Sequence, residues 1–146
     1  MVTPYTQSLL LYAYQASAQA LIQTLHERGH PAIRPKHGAV FANIDEEGTR
    51  ASLLAERAGM GKAAMGELID DLERLGYVKR VPVPTDRRAK LVTARPEARQ
   101  VMQIVHEFND GIERQYRELL GEQAYQILRT ALRTIAAKED IQPRIR

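Results

Sequence analysis

Apolar side chains recur every three or four residues along most of the chain, and breaks in that rhythm divide it into four helices, a hairpin and two further helices. Leu10, Tyr14, Ala18, Leu21 and Leu25 share one face of a long first helix. Thr3-Pro4 suits its start, because a Thr hydroxyl caps a free amide and proline is accepted at the first helical position; Gly29 and Pro31 end it. Arg34-Pro35 opens a short second helix carrying Val40, Phe41 and Ile44, and the acidic turn Asp45-Glu46-Glu47-Gly48 closes it.

Thr49 is placed to cap a third helix that stops at Ala58-Gly59. After the turn Gly59-Met60-Gly61, a fourth helix runs from Lys62 to about Leu75, with Met65, Leu68, Ile69 and Leu72 as its buried stripe and Gly76 as its C-terminal cap. Two helices joined by a tight Gly-containing turn are a helix-turn-helix candidate, although any helical hairpin shares that pattern. The segment after them decides between the two. Tyr77 to Val81 alternates as a strand, Lys90 to Thr93 reads as its partner, and the loop 82–89 between them makes the hairpin a wing. Pro82 and Pro84 stiffen that loop, so Arg87 and Arg88 are expected to project from a preordered tip. Beyond it, Pro96 begins a helix with Glu97 in its first turn. Val101, Val105, Phe108 and Ile112 form one late stripe, and Tyr125, Leu128, Leu132 and Ile135 another. These stripes exceed what a small winged domain needs, which points to a second copy of the chain; an intrachain core is the alternative.

Charge sharpens the picture. The net charge is only +3, but residues 49–95 hold ten Lys/Arg against six Asp/Glu, and the rest of the chain is at −1. A cationic middle with neutral flanks suits a polyanion. The 146 residues fit one domain, and the absence of cysteine excludes disulfides and thiolate metal sites. No apolar run approaches the roughly 20 residues that span a bilayer, so a cytoplasmic protein without membrane contact is expected. There is no Gly-rich phosphate loop, zinc-protease motif or nucleophile elbow, so neither catalysis nor a cofactor is expected. His26, His30, His37 and His106 are too scattered to specify a metal, although the helical spacing of the first two keeps a metal-responsive regulator as an alternative.

The stretch LLAERAGMGKAAMGELIDDLERLGYVKR, Leu53 to Arg80, followed by Asp86-Arg87-Arg88-Ala89-Lys90-Leu91-Val92, resembles the MarR-type winged helix-turn-helix transcriptional regulators. HGAVFANIDEEGT ahead of it and LGEQAYQILRTAL near the end extend the resemblance over nearly the whole chain. It implies a mainly α fold with a small β-hairpin wing. Residues 33–95 would form the winged helix-turn-helix core, flanked by dimerisation helices in 1–30 and 96–146. It implies a homodimer bound to an inverted repeat in double-stranded DNA and acting as a repressor. The recognition helix, 61–75, would lie in the major groove, and the wing, 82–89, in the minor groove.

Carried over by position, Lys62, Ala63 and Ala64 would meet base edges or a phosphate, Arg88 would enter the minor groove, and Arg87 and Lys90 would hold phosphates. Asp86 would orient the Arg88 guanidinium, and Thr49 and Arg50 would meet phosphates at the start of the third helix. Gly66 either permits close backbone approach or packs tightly on a neighbouring helix. The chain departs from the family with Gly61 where a Ser or Thr often precedes the recognition helix, and with Ala94-Arg95-Pro96-Glu97-Ala98 after the wing. The resemblance also implies a cleft for a small aromatic or phenolic effector, with Tyr12, His37, Phe41 and Phe108 as candidate walls. Core packing is the competing reading for each. A winged helix that docks on an acidic protein partner is the remaining alternative.

Overall fold

The structure, a computed structural model, describes residues 4–138. Helix α1 covers Thr6–Glu27, and a 3-10 turn, Pro35–His37, runs into the short helix α2, Gly38–Phe41. Helices α3, Ala51–Ala58, and α4, Lys62–Arg74, precede the antiparallel strands β1, Val78–Val83, and β2, Asp86–Ala94. Helices α5, Pro96–Leu120, and α6, Glu122–Lys138, complete the order. The chain separates into two compact units, residues 1–105 and 106–146.

The core of the first unit gathers Leu25 from α1, Val40 and Phe41 from α2, Leu54 and Ala55 from α3, and Val78 and Val92 from the hairpin. Met65, Leu68, Ile69 and Leu72 are the four buried residues of α4, as their spacing predicts. Burying each such side chain stabilises the fold by about 1.5–3 kcal/mol. Gly59 and Gly76, at φ +64° and +84°, turn the chain out of α3 and α4 in the left-handed region where glycine carries no Cβ penalty. Ala98, Val101 and Ile104 bring the first turns of α5 into this core.

Four local expectations change. Helix α1 starts at Thr6 with Tyr5 at its N-cap, two residues later than Thr3-Pro4 suggests, and Thr3 lies outside the described residues. Of the expected first-helix stripe only Leu25 is buried, and Leu10, Tyr12 and Tyr14 stay exposed. Thr49 does not cap α3, whose N-cap is Arg50. Its backbone instead exchanges both bonds with Val92 at 2.9 Å, adding a short bridge to the sheet, and its hydroxyl accepts the Asp45 amide. A partner on β2 outcompetes the local cap because it satisfies donor and acceptor together.

The wing is a longer ladder than its loop suggests. Its turn is only Pro84-Thr85, so Arg87 and Arg88 stand on β2 rather than on a loop tip. Pro82 pairs with Lys90 but Val83 pairs with Asp86, leaving residues 87–89 bulged opposite a single step of β1. Pro82 has no amide hydrogen to continue the ladder, and Pro84 fits the second position of the turn.

In the second unit, Gly121 at φ +78° separates α5 from α6. Phe108 and Ile112 are half-buried there. Tyr125 is fully buried, with its hydroxyl on Glu113 and the guanidinium groups of Arg117 and Arg129 against its ring. Leu128, Leu132 and Ile135 remain 37–49% exposed along α6.

Candidate nucleic-acid interface

Helix α4 buries one face and offers the other. Lys62, Ala63 and Ala64 of its first turn are exposed, and Gly61 is its N-cap with no side-chain cap. Gly66 has open space around it: a Cβ built there meets nothing within 4 Å. Tight helix packing therefore does not explain Gly66, and the reading left is close approach from outside.

The ten basic residues of 49–95 divide into two groups. Arg57 is paired with Asp45, Arg74 with Asp71, Arg80 with Asp70 and Glu73, and Arg95 loosely with Glu97. The side chains of Arg50, Lys62, Lys79, Arg87, Arg88 and Lys90 are exposed and have no ion pair or hydrogen bond among the described residues. Five of those six are residues the sequence singles out. Lys79 was missed because a lysine on a short strand looks like ordinary solvated surface.

The acids of α4 follow the opposite rule. Four carboxylates on a helix offered to DNA would repel it, yet Asp70 and Glu73 are neutralised by Arg80, and Asp71 by Lys36 and Arg74. Hydrogen bonds from His37, then Lys36 and Arg74, hold the Asp71 carboxyl well below the usual carboxylate range. Glu67 alone of the four is left without a cationic partner among the described residues, a second position the sequence did not flag.

Asp86 behaves differently from its expected role. Its carboxylate accepts the backbone amide of Arg88 at 3.0 Å rather than the guanidinium, a side-chain turn that holds the bulge. Thr49 is 2% exposed with its hydroxyl and backbone committed, so at the start of α3 the exposed group is Arg50.

Two of the expected effector residues, His37 and Phe41, are buried within the first unit. Nδ1 of His37 accepts the Arg34 amide and its Nε2 donates to Asp71, so this buried ring ties the 3-10 turn to α4. Phe41 is buried edge-on against Tyr77, whose hydroxyl pairs with Nδ1 of His30 at 2.9 Å. Tyr12 is exposed on α1, and Phe108 belongs to the second unit. For His37 and Phe41 the core role therefore replaces the cleft role. Among the described residues no three His, Asp or Glu side chains are grouped to hold a metal ion. No described helix is long and apolar enough to cross a membrane.

A short helix pair, a Gly turn, an outward-facing helix and a cationic hairpin define a winged helix-turn-helix fold. Residues 33–89 match the MarR family. The fold is similar to that of MepR in its DNA complex from S. aureus, with a TM-score of 0.74 and 15% identity over 93% of this chain and 99% of that one. It is also similar to CouR from Rhodococcus jostii bound to p-coumaroyl-CoA, with 26% identity, a TM-score of 0.64 and coverage of 88% and 89%. A MarR-family regulator from Rhodococcus sp. gives 24% identity, a TM-score of 0.65 and coverage of 92% and 96%. None of the curated proteins compared matches the chain.

Proposed function

We propose that the protein is a homodimeric, sequence-specific repressor that binds an inverted-repeat operator through α4 in the major groove and the wing in the minor groove. The observation that carries this reading is the division of the cations: six in residues 49–95 are exposed and without a partner among the described residues, while four are paired with carboxylates. Lys62, Ala63 and Ala64 meet base edges, Glu67 is placed to accept from a cytosine amine, and Gly66 lets the backbone approach. Arg88 enters the minor groove, while Arg50, Arg87 and Lys90 hold phosphates.

Dimerisation is supported by the apolar side chains exposed on Leu9 to Tyr12 of α1 and by Leu128, Leu132 and Ile135 of α6. A second copy is the occupant that would desolvate both. By covering its operator the dimer excludes other proteins, and a small-molecule effector shifts its affinity, a reading supported by the likeness to ligand-bound CouR.

The test is selection of random-sequence duplex DNA by the purified protein at near-physiological salt, followed by sequencing of what it retains. An enriched inverted repeat with half-sites about one helical turn apart is the expected result. No enrichment, with or without candidate effectors, would replace this reading by an acidic protein partner for the same cations.

A further inference from the structure

We propose that the concavity at the base of the wing, lined by Lys79, Arg95 and Arg99, binds a phosphate group. The hairpin register puts Val78, Arg80, Val92 and Ala94 on one face, of which Val78, Val92 and Ala94 are buried in the core, and Lys79, Val81, Leu91 and Thr93 on the other. That second face meets the loop at Glu46 and the start of α5 in a hollow of about 490 Å³, wide enough for a phosphate and a substituent on it.

Three cations and one carboxylate, Glu46, line the hollow. The side chains of Lys79 and Arg99 have no partner among the described residues, and the guanidinium of Arg95 reaches Glu97 only at 3.8 Å, beyond hydrogen-bond range. Like charges gathered in a recess repel one another until an anion enters, and the three cations outnumber the carboxylates of Glu46 and Glu97. Guanidinium groups also grip phosphate oxygens in pairs. The positive end of the 25-residue helix α5, which begins at Pro96, adds to the attraction. Arg95 and Arg99 belong to neither α4 nor the wing, so the site is not part of the groove contacts above.

The phosphate has two sources, a DNA backbone that runs past the wing or a phosphorylated small molecule. The site itself does not depend on the operator reading; only the first source does. Full-length labelled protein is titrated with inorganic phosphate at constant ionic strength and followed by amide chemical shifts. Saturable movement at Lys79, Thr93, Arg95 and Arg99 is expected, weakened by about tenfold or more in Lys79→Gln/Arg99→Gln. Both side chains are exposed, so the rest of the spectrum should be unchanged and serves as the folding control.

The same variant then has its DNA affinity measured against salt. A slope of log K on log salt that falls by about one to two assigns the site to the DNA backbone, and an unchanged slope with lost phosphate binding assigns it to a small molecule. Shifts that never saturate, or that the double variant reproduces, together with an unchanged slope, overturn the proposal. Saturable phosphate binding by a chain that retains no DNA keeps the site and removes the operator reading.

Discussion

Glu73, near the end of α4, accepts the backbone amide of Arg80 at 2.8 Å and its guanidinium at 3.1 Å. The same guanidinium reaches Asp70 one turn earlier at 2.7 Å. One arginine at the start of the wing is thus fastened to the helix proposed to lie in the major groove, and the angle between the two reading elements is set locally.

Glu73→Gln should therefore weaken operator binding, by roughly two- to fivefold as befits a half-exposed pair. Removing a negative charge near DNA would by itself tighten binding, so the sign separates the two effects. Fluorescence anisotropy at fixed salt measures it, and tighter binding by the variant would show that the clamp does not matter.

Asp86 offers a finer distinction. Its carboxylate serves the Arg88 amide, a task an asparagine oxygen also performs. Asp86→Asn should retain wild-type DNA affinity or bind more tightly, while Asp86→Ala should bind more weakly. Equal losses in both would return Asp86 to the guanidinium.

Salt dependence sorts the cations. Arg87→Ala and Lys90→Ala should each lower the slope of log K against log salt by about one. Arg74→Ala should leave it unchanged, because Arg74 is occupied by Asp71. Three identical slopes would contradict the division of free and paired cations.

Gly66→Ala should raise the stability of the protein by about 0.5–1 kcal/mol, since a methyl inside a helix with no neighbour reduces only the freedom of the unfolded chain. It should also weaken operator binding, because the methyl stands where DNA would approach. Thermal unfolding and anisotropy on one preparation give both signs; a stabilised variant with unaltered affinity would leave Gly66 outside the interface.

Acid should destabilise the fold in two windows. Burial, and then Arg28, push the His30 imidazole below its ordinary pKa. The unfolded chain therefore binds that proton more readily, and stability falls as pH drops through the imidazole range. The Asp71 carboxyl is depressed by His37, Lys36 and Arg74. Its contribution is present above the ordinary carboxylate range and is lost as pH falls below it. Urea unfolding of the wild type and Asp71→Asn across this range should show the variant less stable at neutral pH, with the gap closing in acid. A constant gap would mean that Asp71 acts through shape rather than charge.

The sequence carried some of these features openly and hid others. The α4 stripe and the turns at Gly59 and Gly76 were legible because they depend on residues within a few positions of one another. Thr49 was misread because its partner, Val92, lies across the fold, and no local rule weighs a cap against a distant bridge. The length of β2 was hidden by two prolines that read as loop, although proline at a bulge and in a turn leaves most of a ladder intact. His37 looked like a polar tip for a ligand, and only the fold shows both of its nitrogens engaged. Which arginines are free was equally unreadable, since Arg80 and Arg88 differ only in what the fold brings beside them.

Helix α4 keeps its structural work on Met65, Leu68, Ile69 and Leu72 and leaves Lys62, Ala63, Ala64 and Gly66 without a side-chain partner among the described residues. Stability and recognition are thus written on separate sides of one rod. On the proposed reading, replacing the outer residues would redirect the protein to a new DNA sequence at little thermodynamic cost, which makes this helix a natural starting point for engineering altered operators.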